Sequence, residues 1–261
     1  MPKPKIGLSM LYCLSEPFDK MVKRLNKVET RYVEVLDEGF HALNKKRVTT
    51  LNQIAKSHSI EYTVHAPFAD INIASPSKPI LTASFKRLKE SMAYANALNA
   101  KLWIFHPGNR TGISMFYPGE DWKQNIKGIL ELHETAETYG LNIAIENLPE
   151  KYGFLMKQPE DFTKFYKETS LNNVGIALDV GHANLEAQTE SFLRKIPDKI
   201  VHMHVSDNTG ENDQHLGIGY GKINWQRFAE TLRGIAYDKT VMVESTEHVK
   251  ESLQKLKKLL V

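Results

Sequence analysis

The chain has 261 residues, 41% of them apolar, 25% charged and 9% aromatic, and its formal net charge is +3. That length suits one large domain or two small ones, and the composition is that of an ordinary globular protein. The charge is too small to mark a nucleic-acid binder by itself, the single cysteine, Cys13, excludes an intrachain disulfide and a thiolate zinc cluster, and no apolar run approaches the ~18 residues of a membrane span.

Along the chain, short apolar and β-branched runs alternate with longer stretches of helical period. The first run, 5–10 (KIGLSM), precedes a helical stretch at 16–27. The second, Tyr32–Leu36 (YVEVL), precedes 43–58, and the third, Glu61–His65 (EYTVH), precedes 80–98. Run 101–106 (KLWIFH) leads to 121–139, and 141–146 (LNIAIE) to Pro159–Thr169. Run 174–179 (VGIALD) leads to a less regular helix at 185–195, 199–205 (KIVHMHV) to 225–235, and 240–244 (TVMVE) to 247–260. Continuous apolar strands suit a parallel sheet covered by helices. Eight strand–helix pairs in about 250 residues predict an α/β fold, a single (β/α)8 TIM barrel spanning 1–261. An open doubly wound sheet is the alternative, and no glycine-rich turn after the first strand supports its dinucleotide-binding version. The irregular stretch 206–224 is long enough to be functional, and the lysines of 250–258 read as a solvated helix face. No apolar leader follows the basic first five residues, so the expected location is cytoplasmic.

The chemistry-bearing residues stand where strands end. The third run ends at His65, the fourth at His106, the fifth at Glu146, the sixth at Asp179 and the eighth at Glu244. His182 follows Asp179 by one turn, His204 closes the seventh run, and Asp213 and His215 lie in the next loop. Glu34 precedes the end of the second run by two residues. In a parallel barrel all these ends share one face, the face that carries active sites. Taken singly, a strand-end histidine is an ordinary core residue and an aspartate such as Asp179 an ordinary helix cap. Together they form a poor structural device, because packed carboxylates repel and are desolvated. A divalent cation removes both penalties. Mixed imidazole and carboxylate ligands suit Zn2+ or Mn2+, with Co2+ or Fe2+ also compatible. Of the two histidines in the seventh run, His204 is assigned to the inner face and His202 to the opposite one, on the alternation of strand side chains.

These residues fall in stretches that resemble the endonuclease IV/xylose isomerase-like superfamily of metal-dependent barrels. The matching pieces are His65-Ala-Pro, His106-Pro-Gly, Ile145-Glu146-Asn147, Leu178-Asp179-Val-Gly-His182, His204-Val-Ser-Asp207-Asn208, Asp213-Gln-His215-Leu-Gly-Ile-Gly219 and Val243-Glu244. The resemblance implies two chemistries. In the sugar isomerases and epimerases one metal, bound here by Glu146, Asp179, His204 and Glu244, polarises a carbonyl while Glu146 and Glu244 move a proton. His182, Asn147 and Glu34 would then contact a small carbohydrate. In endonuclease IV three zinc ions cleave DNA at abasic sites. His65, His106 and Glu146 would hold one, Glu146, Asp179, His204 and Glu244 a second, and His182, Asp213 and His215 a third.

The mouth loops weigh on this choice. Segments 37–44, 66–77 and 206–220 carry no Lys or Arg, and 107–119 carries only Arg110. DNA affinity comes chiefly from phosphate neutralisation, so a small polyol is the preferred substrate and abasic-site DNA the alternative. Phe68, Phe116, Tyr117 and Tyr152 are candidates to wall a sugar pocket. A non-catalytic metal-binding barrel is the third reading, no membrane partner is expected, and a homo-oligomer is left open.

Overall fold

The computed structural model describes residues 3–261. Eight parallel strands pair in chain order and close on themselves, β8 against β1. They are β1 (Lys5–Ser9), β2 (Tyr32–Leu36), β3 (Glu61–His65), β4 (Trp103–Phe105), β5 (Ile143–Glu146), β6 (Gly175–Asp179), β7 (Ile200–Val205) and β8 (Thr240–Val243). Around them run α1 (Phe18–Leu25), α2 (Lys45–His58), α3 (Lys78–Ala97), α4 (Glu120–Tyr139) and α5 (Pro159–Thr169). The ring continues with α6 (Val180–Leu185), α7 (Thr189–Lys195), α8 (Trp225–Gly234) and α9 (Val249–Leu260). This is the (β/α)8 barrel expected from the alternation of elements.

Side chains two apart on a strand share a face, and the two faces have different work here. Outward residues such as Val33, Val35, Tyr62, Val64, Trp103, Phe105, Ile143, Ile145, Met203 and Val205 join the helices in one continuous apolar layer. Ile104, Ala144 and Ala177 form a separate small cluster with Leu102. Continuing each of those inner rows by one step leads to His106, Glu146 and Asp179. The same step from Gly7, Thr63, His202 and Met242 leads to Ser9, His65, His204 and Glu244. The barrel therefore carries a polar ring at the carboxyl end of its inner face.

Local signals fix the helix ends. Asn44 accepts a hydrogen bond from Arg47 N–H at the start of α2. Gln158 and Asp161 form a capping box at α5, with Pro159 in the first turn. Gly140 stops α4 in the left-handed conformation. One sequence expectation needs correction: 185–195 is two helices, not one. Asp179 caps α6, which starts five residues before the expected 185, and Ala187, at φ 52°, breaks the chain before α7. Among the described residues, no helix is long and apolar enough to cross a membrane.

Phe162 of α5 is fully buried and meets Phe192 of α7 edge-on, ring centroids 5.7 Å apart. Phe162→Ala is expected to cost about 3–5 kcal/mol. A chemical-denaturation midpoint within error of wild type would contradict this account of the helix layer.

Candidate metal centre

Every metal-type residue singled out from the sequence lies at the carboxyl-end mouth. Four groups of side chains each bring one ligand atom apiece within 4.8 Å of one another: Glu146, Asp179, His204 and Glu244; His65, His106 and Glu146; His182, Asp213 and His215; and Glu34, His202 and His204. Glu146 joins the first two groups. Its Oε2 is 3.1 Å from His65 Nε2 and 3.2 Å from His106 Nε2. Its Oε1 is 3.3 Å from His204 Nδ1 and 3.5 Å from His182 Nδ1.

The far nitrogens show how the rings are aimed. Nδ1 of His65 donates to the Ala66 carbonyl at 2.8 Å, Nδ1 of His182 to the Asn147 carbonyl at 2.9 Å, and Nδ1 of His215 to the Glu244 carbonyl at 3.0 Å. Each of these rings then turns Nε2 toward a carboxylate of the site. His204 is reversed: Nε2 donates to Glu34 Oε2 at 3.1 Å, and Nδ1 faces Glu146 and Glu244. Such bonds on the remote nitrogen select the tautomer of a metal-ligating histidine.

The carboxylates are positioned with equal economy. Asp179 Oδ1 accepts from His182 N–H at 2.6 Å, which makes it the α6 cap, while Asp179 Oδ2 is buried without a hydrogen-bond partner. The cap and ligand readings of this residue therefore coexist, one on each oxygen. Asp213 Oδ1 is likewise buried and unpartnered. Buried acceptors left open in this way are costly, and both belong to groups able to enclose a cation. The donor set, imidazole and carboxylate without thiolate, fits a divalent ion of the Zn2+ or Mn2+ type.

Glycines in the quoted motifs owe their place to close approach. A Cβ on Gly108 would fall 2.3 Å from the Ala74 Cβ, and one on Gly181 would fall 2.9 Å from Ser206 Oγ. The long loop after β7 is organised by buried Asp207. Its carboxylate accepts from Asn208, Gly219 and Ile223 N–H and from the Trp225 indole. His215 in that loop adopts φ 47°, a left-handed conformation rare outside glycine.

One sequence expectation changes, and two further residues gain defined partners. Residues two apart share a strand face, so His202 points inward with His204; its Nε2 lies 3.3 Å from Glu34 Oε2, with neither ring nitrogen hydrogen-bonded. Glu34, expected to contact substrate, is fully buried and accepts a hydrogen bond from His204 Nε2 at 3.1 Å. Asn147, also buried, spends its amide on the backbone of Asp179, donating to the carbonyl and accepting from the N–H. The sequence reading also missed Ser9, whose hydroxyl reaches Glu244 Oε1 at 3.5 Å. Its position at a strand end is the signal that was available. Phe68 packs on both His65 and His106, ring centroids 5.5 Å away in each case, whereas Phe116, Tyr117 and Tyr152 are exposed. A groove of about 840 Å3 opens beside His215 between Leu11, Tyr12, Leu14, Phe40 and Thr246.

Without a cation the ring is held together by protons. Burial opposes the charge on His65, but Glu146 prevails and raises it to about 9. Burial opposes His182 too, and Asp179 and Asp213 raise it to about 10. His215 rises to about 9 against its own burial, chiefly through Asp213. Burial, opposed by His204 and His215, lifts Glu244 to about 7. These imidazoles are protonated at neutral pH when metal-free, and a metal needs them neutral. Zinc added to chelator-treated protein at pH 7 is therefore expected to release protons, and the release should fade as pH passes 10. The sign for stability follows from the same shifts. Histidines raised above about 6.5 stabilise the metal-free fold below that pH and lose the contribution as pH rises through 9–10. A metal-free melting temperature that climbs between pH 7 and 10 would contradict this balance.

Residues 22–259 match the family described as xylose isomerase-like TIM barrel. An uncharacterized protein of Methanocaldococcus jannaschii is 31% identical over 244 residues, covering 92% of this chain and 83% of that one. The D-psicose 3-epimerase of Ruminiclostridium cellulolyticum is 26% identical over 232 residues, covering 85% and 76%. A crystal structure of a D-tagatose 3-epimerase-like protein superposes with a TM-score of 0.91 at 30% identity, over 98% of this chain and 96% of that one. The closed barrel, the ring of strand-end ligands and the match over nearly its whole length agree: this chain belongs to the xylose isomerase-like TIM-barrel family.

Proposed function

We propose that the protein is a divalent-metal-dependent sugar isomerase or epimerase that moves a proton at a carbon next to a carbonyl. The observation that carries this reading is the pairing of Glu146 and Glu244. They stand three strands apart around the barrel, both buried, with carboxylate oxygens within 4.8 Å of each other and of Asp179 and His204. A cation held by these four residues would supply Lewis acidity to the substrate carbonyl. One glutamate removes the proton from the neighbouring carbon, and the other returns one from its own side, which inverts that centre. His182 Nε2, beside Asp213, is placed to orient a substrate hydroxyl. Phe68 and Phe154 pack around His106 and keep bulk water from that side of the site. The relatives named D-psicose 3-epimerase support the substrate class.

The charge of the mouth supports an uncharged sugar over a phosphate or DNA. Arg110 is 3.3 Å from Asp121, Lys157 is bonded to Glu150, and Lys151 donates to Asn212. The basic side chains of 107–119 and of the segment after β5, 147–158, are thus each engaged with another side chain.

One observation favours a second reading, abasic-site cleavage: the ligand groups for three cations are complete and contiguous. A metal count separates the two. About one ion per chain supports the sugar chemistry and about three support the nuclease. A zinc-loaded sample that leaves an abasic-site duplex intact removes the nuclease.

For the sugar reading, metal-loaded protein should carry solvent deuterium into a ketose at a carbon adjacent to its carbonyl, with loss of the signal in chelator. Glu146→Gln and Glu244→Gln should each slow the exchange by about 10^2–10^4-fold, with metal content measured in parallel. Absence of exchange across a panel of ketoses, aldoses and their phosphates would overturn the proposal.

A further inference from the structure

The fourth ligand group, Glu34, His202 and His204, links the mouth to the layer beneath it: His202 stands one inner-row step below His204, and Glu34 pairs with Thr63, one such step below His65. All three side chains are fully buried. Glu34 Oε2 accepts from His204 Nε2 at 3.1 Å and from Thr63 Oγ1 at 3.3 Å. The His202 ring stands edge-on to His204, centroids 5.0 Å apart and planes at 83°. This is the only one of the four orienting bonds described above in which the acceptor is a carboxylate. The other three, on His65, His182 and His215, end on backbone carbonyls.

The difference has a chemical consequence. A carbonyl fixes which nitrogen carries the proton. A carboxylate does that and also adds negative charge behind the ring, which makes the forward nitrogen a stronger donor. His204 is already surrounded by three carboxylates, from Glu146, Asp179 and Glu244, so Glu34 brings a fourth negative group to the same place. The His65/His106 group shares a single carboxylate with it, and the His182/His215 group has Asp213.

We propose that Glu34 is a positioning residue of the metal centre: it holds His204 Nδ1 toward Glu146, Asp179 and Glu244 and makes that set the first to bind a cation. This inference rests on the metal reading of the mouth and is independent of which reaction occurs there. It gives Glu34 a role toward His204 beside the substrate contact expected from the sequence.

The test is a stepwise Zn2+ titration of chelator-treated protein against a chromophoric chelator, without any sugar present. Glu34→Leu should weaken the first zinc by about 10–100-fold and leave later steps in place. Glu34→Gln, which keeps an acceptor but loses the charge, should fall between Glu34→Leu and wild type. In zinc-loaded wild type, the proton on His204 Nε2 should exchange slowly with water in nitrogen-15 NMR spectra, and Glu34→Leu should abolish that protection. If Glu34→Leu does not fold, Glu34→Gln decides alone: a weakened first step supports the proposal and an unchanged one overturns it. Equal weakening of every zinc step would mark a general loosening of the barrel and would also overturn it. Failure of sugar exchange alongside the expected zinc behaviour would count against the sugar reading alone.

Discussion

Glu146 has the nitrogens of four histidines, His65, His106, His182 and His204, within 3.5 Å of its two carboxylate oxygens, and it is nearly inaccessible to water. A carboxylate so enclosed must be neutralised, by protons on the rings or by cations between them. Burial would raise its pKa, yet His204 and the other histidines hold it well below the usual range. The same trade governs its neighbours. Burial pushes Asp179 and Glu244 up, while Asp213, despite its burial, is pulled down by His182 and His215. The interior of the mouth is thus built around a charge that the protein alone balances only by protonation.

That constraint explains features of the scaffold that packing leaves unexplained. The inner face of the barrel thins to Gly7, Ala144 and Ala177 where the outer face carries tryptophan, phenylalanine and isoleucine. At Gly7 the space is taken by Met242, whose Sδ would lie 2.6 Å from an added Cβ. Loops above are pinned by backbone donors and side-chain amides. Asn147 bridges β5 to β6, Asp207 gathers the long loop, and Asn125 holds Gly108 through its N–H at 2.7 Å. A site that must keep like charges together needs walls that cannot relax apart.

The conversion of one histidine from carbonyl support to carboxylate support sets an order among otherwise similar ligand groups. It also reconciles a complete three-ion ligand set with chemistry that needs one. On the proposed reading, the Glu146, Asp179, His204 and Glu244 set would hold the cation and the remaining donor groups of the mouth would be left for substrate or proton transfer. Around the mouth, Arg87, Arg110 and Lys157 are paired with Asp37, Asp121 and Glu150.

The sequence by itself determined the barrel, because eight apolar runs separated by helical periods admit few other foldings. It also determined the ring of ligand types, because parallel strands bring their carboxyl ends to one face. Helix ends followed local rules at Asn44, Pro159 and Gly140. Tertiary structure decided what each side chain is for. That Glu34 meets His204 depended on its depth in the barrel, which is a property of strand register and stagger. Asn147 was claimed by the neighbouring strand's backbone, and α6 began early because Asp179 could cap it while leaving its other oxygen open. The inward turn of His202 follows from period-two alternation alone, but the carboxylate it meets comes from β2, 168 positions away in the chain. Partners that distant are joined only by closing the barrel, and no local pattern encodes them.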